Sequence, residues 1–312
     1  MTESPAVFVC PVCGSPDKAF LSTVRDVEYY TTDDTYDYFQ CQSCQTVYLR
    51  DPPIDQLSVI YPDNYYSFNE EDLRPFSLGG VLYGVKKFLD KRFLRKISGT
   101  VAGDSLSALD IGGGTGFILD CLKEADPRVG TTCVVDLDAG ARQVAEGKGH
   151  SFLESTIEDA ELGQNFDVVV MYNLIEHVAD PEAVLRKIST VMNKGGVLVL
   201  KTPTTEGINF RMFRHKYWGG YHAPRHFVLF NRQNFKMMVD RLDFADCRFS
   251  FTQGAPMWVK SVIGTRRMKD DPTVVREPET TGMMLLMAVF AAFDFLTLPF
   301  MKKNQMFIIL RK

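Results

Sequence analysis

The chain has 312 residues, 45% of them hydrophobic, enough for one sizeable core and an accessory module. A net charge of −4 gives no global reason to expect a polyanionic partner. Residues 1–9 hold neither a basic start nor an apolar run, which argues against a secretory leader and for a cytoplasmic protein.

Residues 10–14 read CPVCG and residues 41–45 read CQSCQ. These two C-x-x-C knuckles let Cys10, Cys13, Cys41 and Cys44 supply four thiolates to a tetrahedral zinc ion. The stretch between them, VEYYTTDDTYDYFQC, is β-prone, so residues 1–50 are expected to form a zinc ribbon. Four thiolates close the site to water, which makes the expected metal structural. Lys18, Arg25 and Arg50 stand against seven acids in this segment, a poor composition for binding phosphate.

Residues 51–104 read as a connector. A Pro- and Tyr-rich stretch with the acidic NEED is followed by an amphipathic helix over 79–98. Val81, Leu82, Val85, Phe88, Leu89, Phe93 and Leu94 recur near helical period, while Lys86, Lys87, Lys91, Arg92, Arg95 and Lys96 fill the other positions. Such a face is either solvated or set against anionic lipid.

From residue 105 short apolar runs alternate with helix-like segments: SALDIGG, FILDCLKEA, TTCVVDLD, AGARQVAEGKG, SFLEST, NFDVVVMYN, PEAVLRKISTVM and GGVLVLKTP. That alternation predicts an α/β fold with a doubly wound, mostly parallel sheet, whose ligand sits outside the carboxyl ends of its strands. The glycine loop excludes the dinucleotide pattern, because G-x-G-x-x-G from Gly112 would need glycine where Phe117 stands. Instead Gly112, Gly113, Gly114 and Gly116 follow Asp110, a carboxylate suited to a cationic amino acid end rather than a pyrophosphate. Asp136 ends the second strand and can accept both hydroxyls of a ribose.

In order, LDIGGGTG, VVDLD, STIEDAEL, FDVVVMYNLIEHVADP and NKGGVLVLKTP resemble the successive motifs of class I S-adenosylmethionine-dependent methyltransferases over residues of about 105–204. The tail HAPRHFVLFNRQNFKMMVDRLDF is similar to a segment found in many bacterial members with an N-terminal cysteine ribbon. The resemblance implies a Rossmann-like seven-stranded sheet with an antiparallel last strand. DCRFSF and QMFIILRK would be its final hairpin, residues 105–312 the cofactor-binding domain and 252–304 an insertion. It implies that Asp110 and the glycine loop hold the methionine part of S-adenosylmethionine and that Asp136 with Leu137 holds the ribose. Ile157 and Glu158 would flank the adenine, and Asn173 would close the pocket.

The insertion contains MMLLMAVFAAFDFLTLPFM at 283–301, long enough to span a bilayer but carrying Asp294. A span there would strand the last strand across the membrane. A helix buried on the core, or a lipid-facing lid giving peripheral membrane contact together with 79–98, is expected instead. Removing a proton from a hydroxyl acceptor calls for a base, and the segment RHKYWGGYHAPRHFVLF at 214–230 leaves the fifth strand on the ligand side. His222 and His226 are the candidates for base or acceptor positioning, and Arg225 for an anionic group. His177, after Glu176 at the pocket mouth, is a third candidate, and its IEHV resembles a stretch of quinone O-methyltransferases where acids can assist a metal. His150 reads as a surface residue in a polar turn. The expected reaction is O- or C-methylation of a small, sugar-linked or lipid-linked acceptor. Nucleic-acid methylation, with the ribbon as reader, meets an acidic ribbon and NLIE where an N-P-P-Y type motif would stand. A non-catalytic scaffold meets an intact glycine loop, Asp110 and Asp136.

Overall fold

The computed structural model describes residues 8–62, 78–252, 254–270, 280–297 and 300–312. The NEED segment of the connector and the side chains of Val81 and Leu82 lie outside the described residues. The chain opens with strands β1 (Lys18–Arg25), β2 (Thr35–Cys41) and β3 (Val47–Leu49), then the short helix α1 (Leu57–Ile60) and the long helix α2 (Leu78–Ser98). The α/β region follows: β4 (Leu106–Ile111), α3 (Phe117–Ala125), β5 (Val129–Asp136), α4 (Ala139–Gly147), β6 (Ser151–Glu154), β7 (Phe166–Tyr172), α5 (Pro181–Thr190) and β8 (Met192–Pro203). The remainder is α6 (Ile208–Phe213), β9 (Val228–Leu229), α7 (Arg232–Val239), β10 (Asp246–Thr252), α8 (Ala255–Arg267), α9 (Thr280–Thr297) and β11 (Gln305–Arg311).

Seven strands form one sheet in the order β10-β11-β8-β7-β4-β5-β6. β4 to β8 run parallel, and β11 enters antiparallel between β8 and β10, as the class I resemblance implies. Successive residues of the central strands feed opposite faces. Val168 and Val170 of β7 join the cluster beneath α2 and α3, while Val169 and Met171 join the cluster on the other face. Burial on both faces explains the unbroken apolar runs in the sequence, each buried Val or Leu contributing about 1.5–3 kcal/mol. Helix ends follow local chemistry: Asp180 caps α5 by accepting from the Ala183 amide with Pro181 in the first turn, and Asn231 and Asn234 form a reciprocal cap on α7.

The ribbon is joined to the sheet rather than hung from it. Its own sheet runs β1-β2-β3-β9, so its fourth strand comes from the segment after β8. Val47 and Tyr48 pair with Leu229 and Val228, and the next residue, Phe230, bridges to Thr204 at the end of β8. Beneath this seam lies a fully buried ion pair, Arg225 Nη2 to Asp26 Oδ2 at 2.8 Å. Burial opposes ionisation of Asp26, but Arg225 and the amides of Tyr29 and Thr31 outweigh it and hold the carboxyl below its ordinary range. Removing one partner leaves a buried charge unanswered. Asp26→Asn is therefore expected to lower the unfolding free energy by about 3–5 kcal/mol, read from urea denaturation at pH 7.

Candidate functional site

The glycine loop leaves β4 on the ligand side. Gly112, Gly114 and Gly116 have φ of 71°, 50° and 78°, which L side chains rarely adopt. Gly113 is required for a different reason: a Cβ there would lie 2.5 Å from the Asp110 carboxyl carbon. Asp110 is buried with its Oδ2 lacking any hydrogen-bond partner. Burial, with the nearby charge of Asp136, pushes its pKa up to about 7. An unanswered buried carboxylate beneath a glycine cradle is a site prepared for a cationic ligand. Asp136 Oδ2 accepts from the Gly114 amide at 2.8 Å and Oδ1 from the Asp138 amide at 2.9 Å, which fixes the acid at the end of β5. Leu137 beside it is exposed, Ile157 is buried and Glu158 is exposed. Asn173, with φ of 50° at the end of β7, donates its amide to Lys201 O and lies across from Gln305.

His150 departs from its expectation. It is buried, with Nδ1 2.8 Å from Thr132 Oγ1 and Nε2 3.0 Å from Asp120 Oδ1. Its ring fills the space a Cβ at Gly116 would need, at 2.5 Å, so it props the glycine loop from below.

The three candidate histidines gather after β7 and in the 217–230 strap, every residue of which is buried. The His177 ring centroid lies 4.5 Å from His226 and 6.3 Å from His222, and those two are 5.0 Å apart. His226 Nδ1 donates to Gly220 O at 2.7 Å, which leaves Nε2 as the basic nitrogen, 3.9 Å from Glu176 Oε1. His222 Nδ1 lies 2.8 Å from Glu28 Oε2. Glu28 also takes Lys260 Nζ at 2.7 Å and Tyr217 Oη at 2.8 Å. Burial raises the Glu28 pKa, but His222 and Lys260 outweigh it and hold the carboxyl well below its usual range. It is thus an acceptor, His222 Nδ1 is the donor, and the basic nitrogen of His222 is Nε2. Burial lowers the pKa of all three histidines, so they are neutral near pH 7. Tyr61 Oη reaches His177 Nδ1 at 2.8 Å.

Glu176 completes the group. Thr202 donates to its Oε2 at 2.9 Å, its Oε1 has no partner, and burial pushes its pKa up to about 8. One ligand atom each from Glu176, His177 and His226 lies within 4.8 Å of the others, close enough to share a proton or a cation. Arg225 does not face a ligand. Its guanidinium meets Asp26, Ile60 O and Ala223 O, so its role is to anchor the strap. Glu28, Tyr61 and Lys260 were not foreseen from the sequence, where no local pattern marks them.

The four ribbon cysteines also converge. Cys10 and Cys44 Sγ atoms lie 3.5 Å apart, as do Cys13 and Cys41, and all four fall within 4.8 Å. Thiolates about 2.3 Å from one tetrahedral zinc sit in this range. None forms a disulfide.

The family described as "Methyltransferase domain" matches residues 84–247, just over half of the chain. The chain belongs to the class I S-adenosylmethionine-dependent methyltransferases. A "Ubiquinone biosynthesis O-methyltransferase" of Cereibacter sphaeroides is 33% identical over 129 residues, covering 38% of this chain and 50% of that protein. A mitochondrial one from Dictyostelium discoideum is 29% identical over 118 residues, covering 32% and 36%. The chain thus spans half or less of the length of these curated relatives. A "SAM dependent methyltransferase from Archaeoglobus fulgidus" of known structure is 18% identical, covering 80% of this chain and 100% of that one, with a TM-score of 0.49.

The close approach at Gly113 gives a direct check of the cofactor cradle. Gly113→Ala is expected to weaken S-adenosylmethionine binding by about tenfold or more, or roughly 1.4 kcal/mol, measured by titration calorimetry on the folded variant.

Proposed function

We propose that the protein transfers a methyl group from S-adenosylmethionine to the hydroxyl oxygen of a small acceptor, with a neutral imidazole taking the hydroxyl proton. The observation that carries this reading is the cluster of neutral histidines beside Glu176, His222 and His226 buried and His177 half-buried, at the carboxyl end of the strand that leads into Asn173. Asp110, Gly112, Gly113, Gly114 and Gly116 would hold the amino acid end of the cofactor, Asp136 and Leu137 its ribose, and Ile157 and Glu158 would flank its adenine, with Asn173 closing the pocket. When bound, the cofactor supplies an already activated methyl group, so the protein's part is position, exclusion of water and handling of one proton.

His222 is the base in this reading. Its Nε2 lone pair receives the proton, and the ionised Glu28 on Nδ1 fixes the tautomer and offsets the imidazolium charge that results. His226 and His177 wall the acceptor, beside a Glu176 carboxyl that burial keeps mostly protonated near pH 7. Oxygen as the acceptor atom is supported by the names of the curated relatives, which are O-methyltransferases. A sugar- or lipid-linked hydroxyl fits the same chemistry. The cysteine cluster would hold one structural Zn2+, making residues 1–50 a ribbon that braces the strap while residues 105–312 carry the cofactor site.

Asp136→Ala is expected to weaken cofactor binding at least tenfold in calorimetry, and unchanged binding would remove the ribose assignment. His222→Ala and His226→Ala should lose turnover by about 10²–10⁴-fold while still binding cofactor; full turnover in both would end the base assignment. The pH profile tests the dyad separately. Because burial lowers the His222 pKa, activity should be complete at neutral pH and fall only below the ordinary imidazole range, as the base becomes protonated. Glu28 raises that pKa, so Glu28→Gln should lower kcat and move the acid limb to still lower pH, with little change in cofactor affinity. Metal analysis should find about one zinc per chain, lost in Cys41→Ser.

A further inference from the structure

Helix α9 is turned opposite to the usual helix of a water-exposed surface. Its one charged residue, Asp294, is buried, accepting from the Gly254 amide at 2.8 Å and from Trp258 Nε1 at 3.2 Å. Trp258 stacks on Phe290 at 5.2 Å, so this side is closed against α8. The outward side carries Leu285, Val289 and Leu296 at spacings of four and seven, one helical stripe, with Phe293 at its edge where the ring also meets Trp258 at 5.6 Å. Leu285 is 69% exposed and Leu296 71%, with Phe295 beside them at 68% and Phe300 beyond at 85%. An apolar stripe of this extent facing water marks an interaction surface.

What covers it is indicated by α2. Phe93 of α2 packs on Phe307 of β11 at 4.5 Å, and Thr100 O accepts from Arg311 Nη1 at 3.4 Å. Helix α2 therefore runs back along β11, and its earlier turns stand at the end of β11 where the chain arrives from α9. That is also the carboxyl end of the parallel strands, since Gln305 pairs with Pro203. Lys86 Nζ lies 4.0 Å over the ring of Phe117, the first residue after the glycine loop. On the exposed face of α2, Val85, Phe88 and Leu89 are followed by Arg92, Arg95 and Lys96. In a chain of net charge −4, this helix concentrates cations beside exposed apolar side chains. A second copy docked on the same rim would bring like-charged helices together. An anionic lipid surface satisfies both features at once. Among the described residues no helix is long and apolar enough to cross a membrane, so the contact is peripheral.

We propose that the outward faces of α9 and α2 seat the protein on an anionic lipid bilayer, with the carboxyl end of the sheet towards the headgroups. The surface stands independently of the acceptor assignment, because it is read by binding alone. The full chain is incubated with vesicles of phosphatidylglycerol and phosphatidylcholine at 1:3, or of phosphatidylcholine only, and sedimented at low and high salt. Binding should favour the anionic vesicles and weaken at least tenfold at high salt. Leu285→Ser with Leu296→Ser, and separately Arg92→Glu with Lys96→Glu, should each reduce binding about tenfold or more with cofactor affinity unchanged. Equal binding to neutral vesicles, or indifference to both variant pairs, would overturn the proposal. So would absence of vesicle binding together with a dimer in light scattering that Leu296→Glu dissociates, which would assign the face to a second copy.

Discussion

Between Tyr217 and Phe230 the chain runs as a loop with every residue buried, and a buried loop must find a partner for each polar group it brings inside. The partners come from three directions. From the ribbon, Tyr38 donates to the carbonyls of Tyr221 and His226, and the Leu49 amide donates to Phe227 O. From the sheet, Glu176 O accepts from the Phe227 amide and the Thr205 amide donates to Phe230 O. From the insertion, Ser261 Oγ accepts from the Gly219 amide. The strap is thus the place where ribbon, sheet and insertion are bound into one body, and it carries two of the three clustered histidines.

The electrostatics of that region follow from the same burial. Low dielectric favours neutral imidazoles, and the charges that remain are answered: Asp26 by Arg225, Glu28 by Lys260. Two carboxyls are left without such an answer. Asp110 lies below the glycine loop and Glu176 among the histidines, with pKa values pushed to about 7 and about 8. Each also carries an unpartnered oxygen. Both lie just past or within the carboxyl ends of adjacent strands, β4 and β7, where the order of the sheet reverses. Groups held this far from their ordinary ionisation in a folded chain are costly to stability, and they accumulate where a ligand or a proton is to be received.

The ribbon gains a meaning that its composition did not supply. Its acidic character argues against a polyanion reader, and in the folded chain two of its acids face inward while Asp17, Asp33 and Asp34 stay exposed. Asp26 secures Arg225, and Glu28 orients His222. A metal-stabilised module placed this way would act as a wall of the acceptor site, and the proposed zinc would contribute to catalysis through the position of the strap.

The antiparallel final hairpin was implied by the class I resemblance; local chemistry was enough to determine the glycine loop, the cysteine knuckles and the alternation of strands and helices. Each is written in neighbouring residues, because φ preferences, thiolate spacing and hydrophobic period act over a few positions. Even the buried side of α9 was foreshadowed by a single Asp294 in an apolar run. Long-range placement decided the rest. Glu28 lies 194 residues from His222, and Tyr61 lies 116 from His177. His150 looked exposed because its sequence neighbours are polar, yet its partners Thr132 and Asp120 come from a strand and a helix that meet around it. Arg225 looked ready for an anion until the fold closed Asp26 and two carbonyls around it. The strap's two histidines meet His177 only because β9 completes the ribbon's sheet, and hydrogen-bond pairing between distant strands leaves no local trace in the chain.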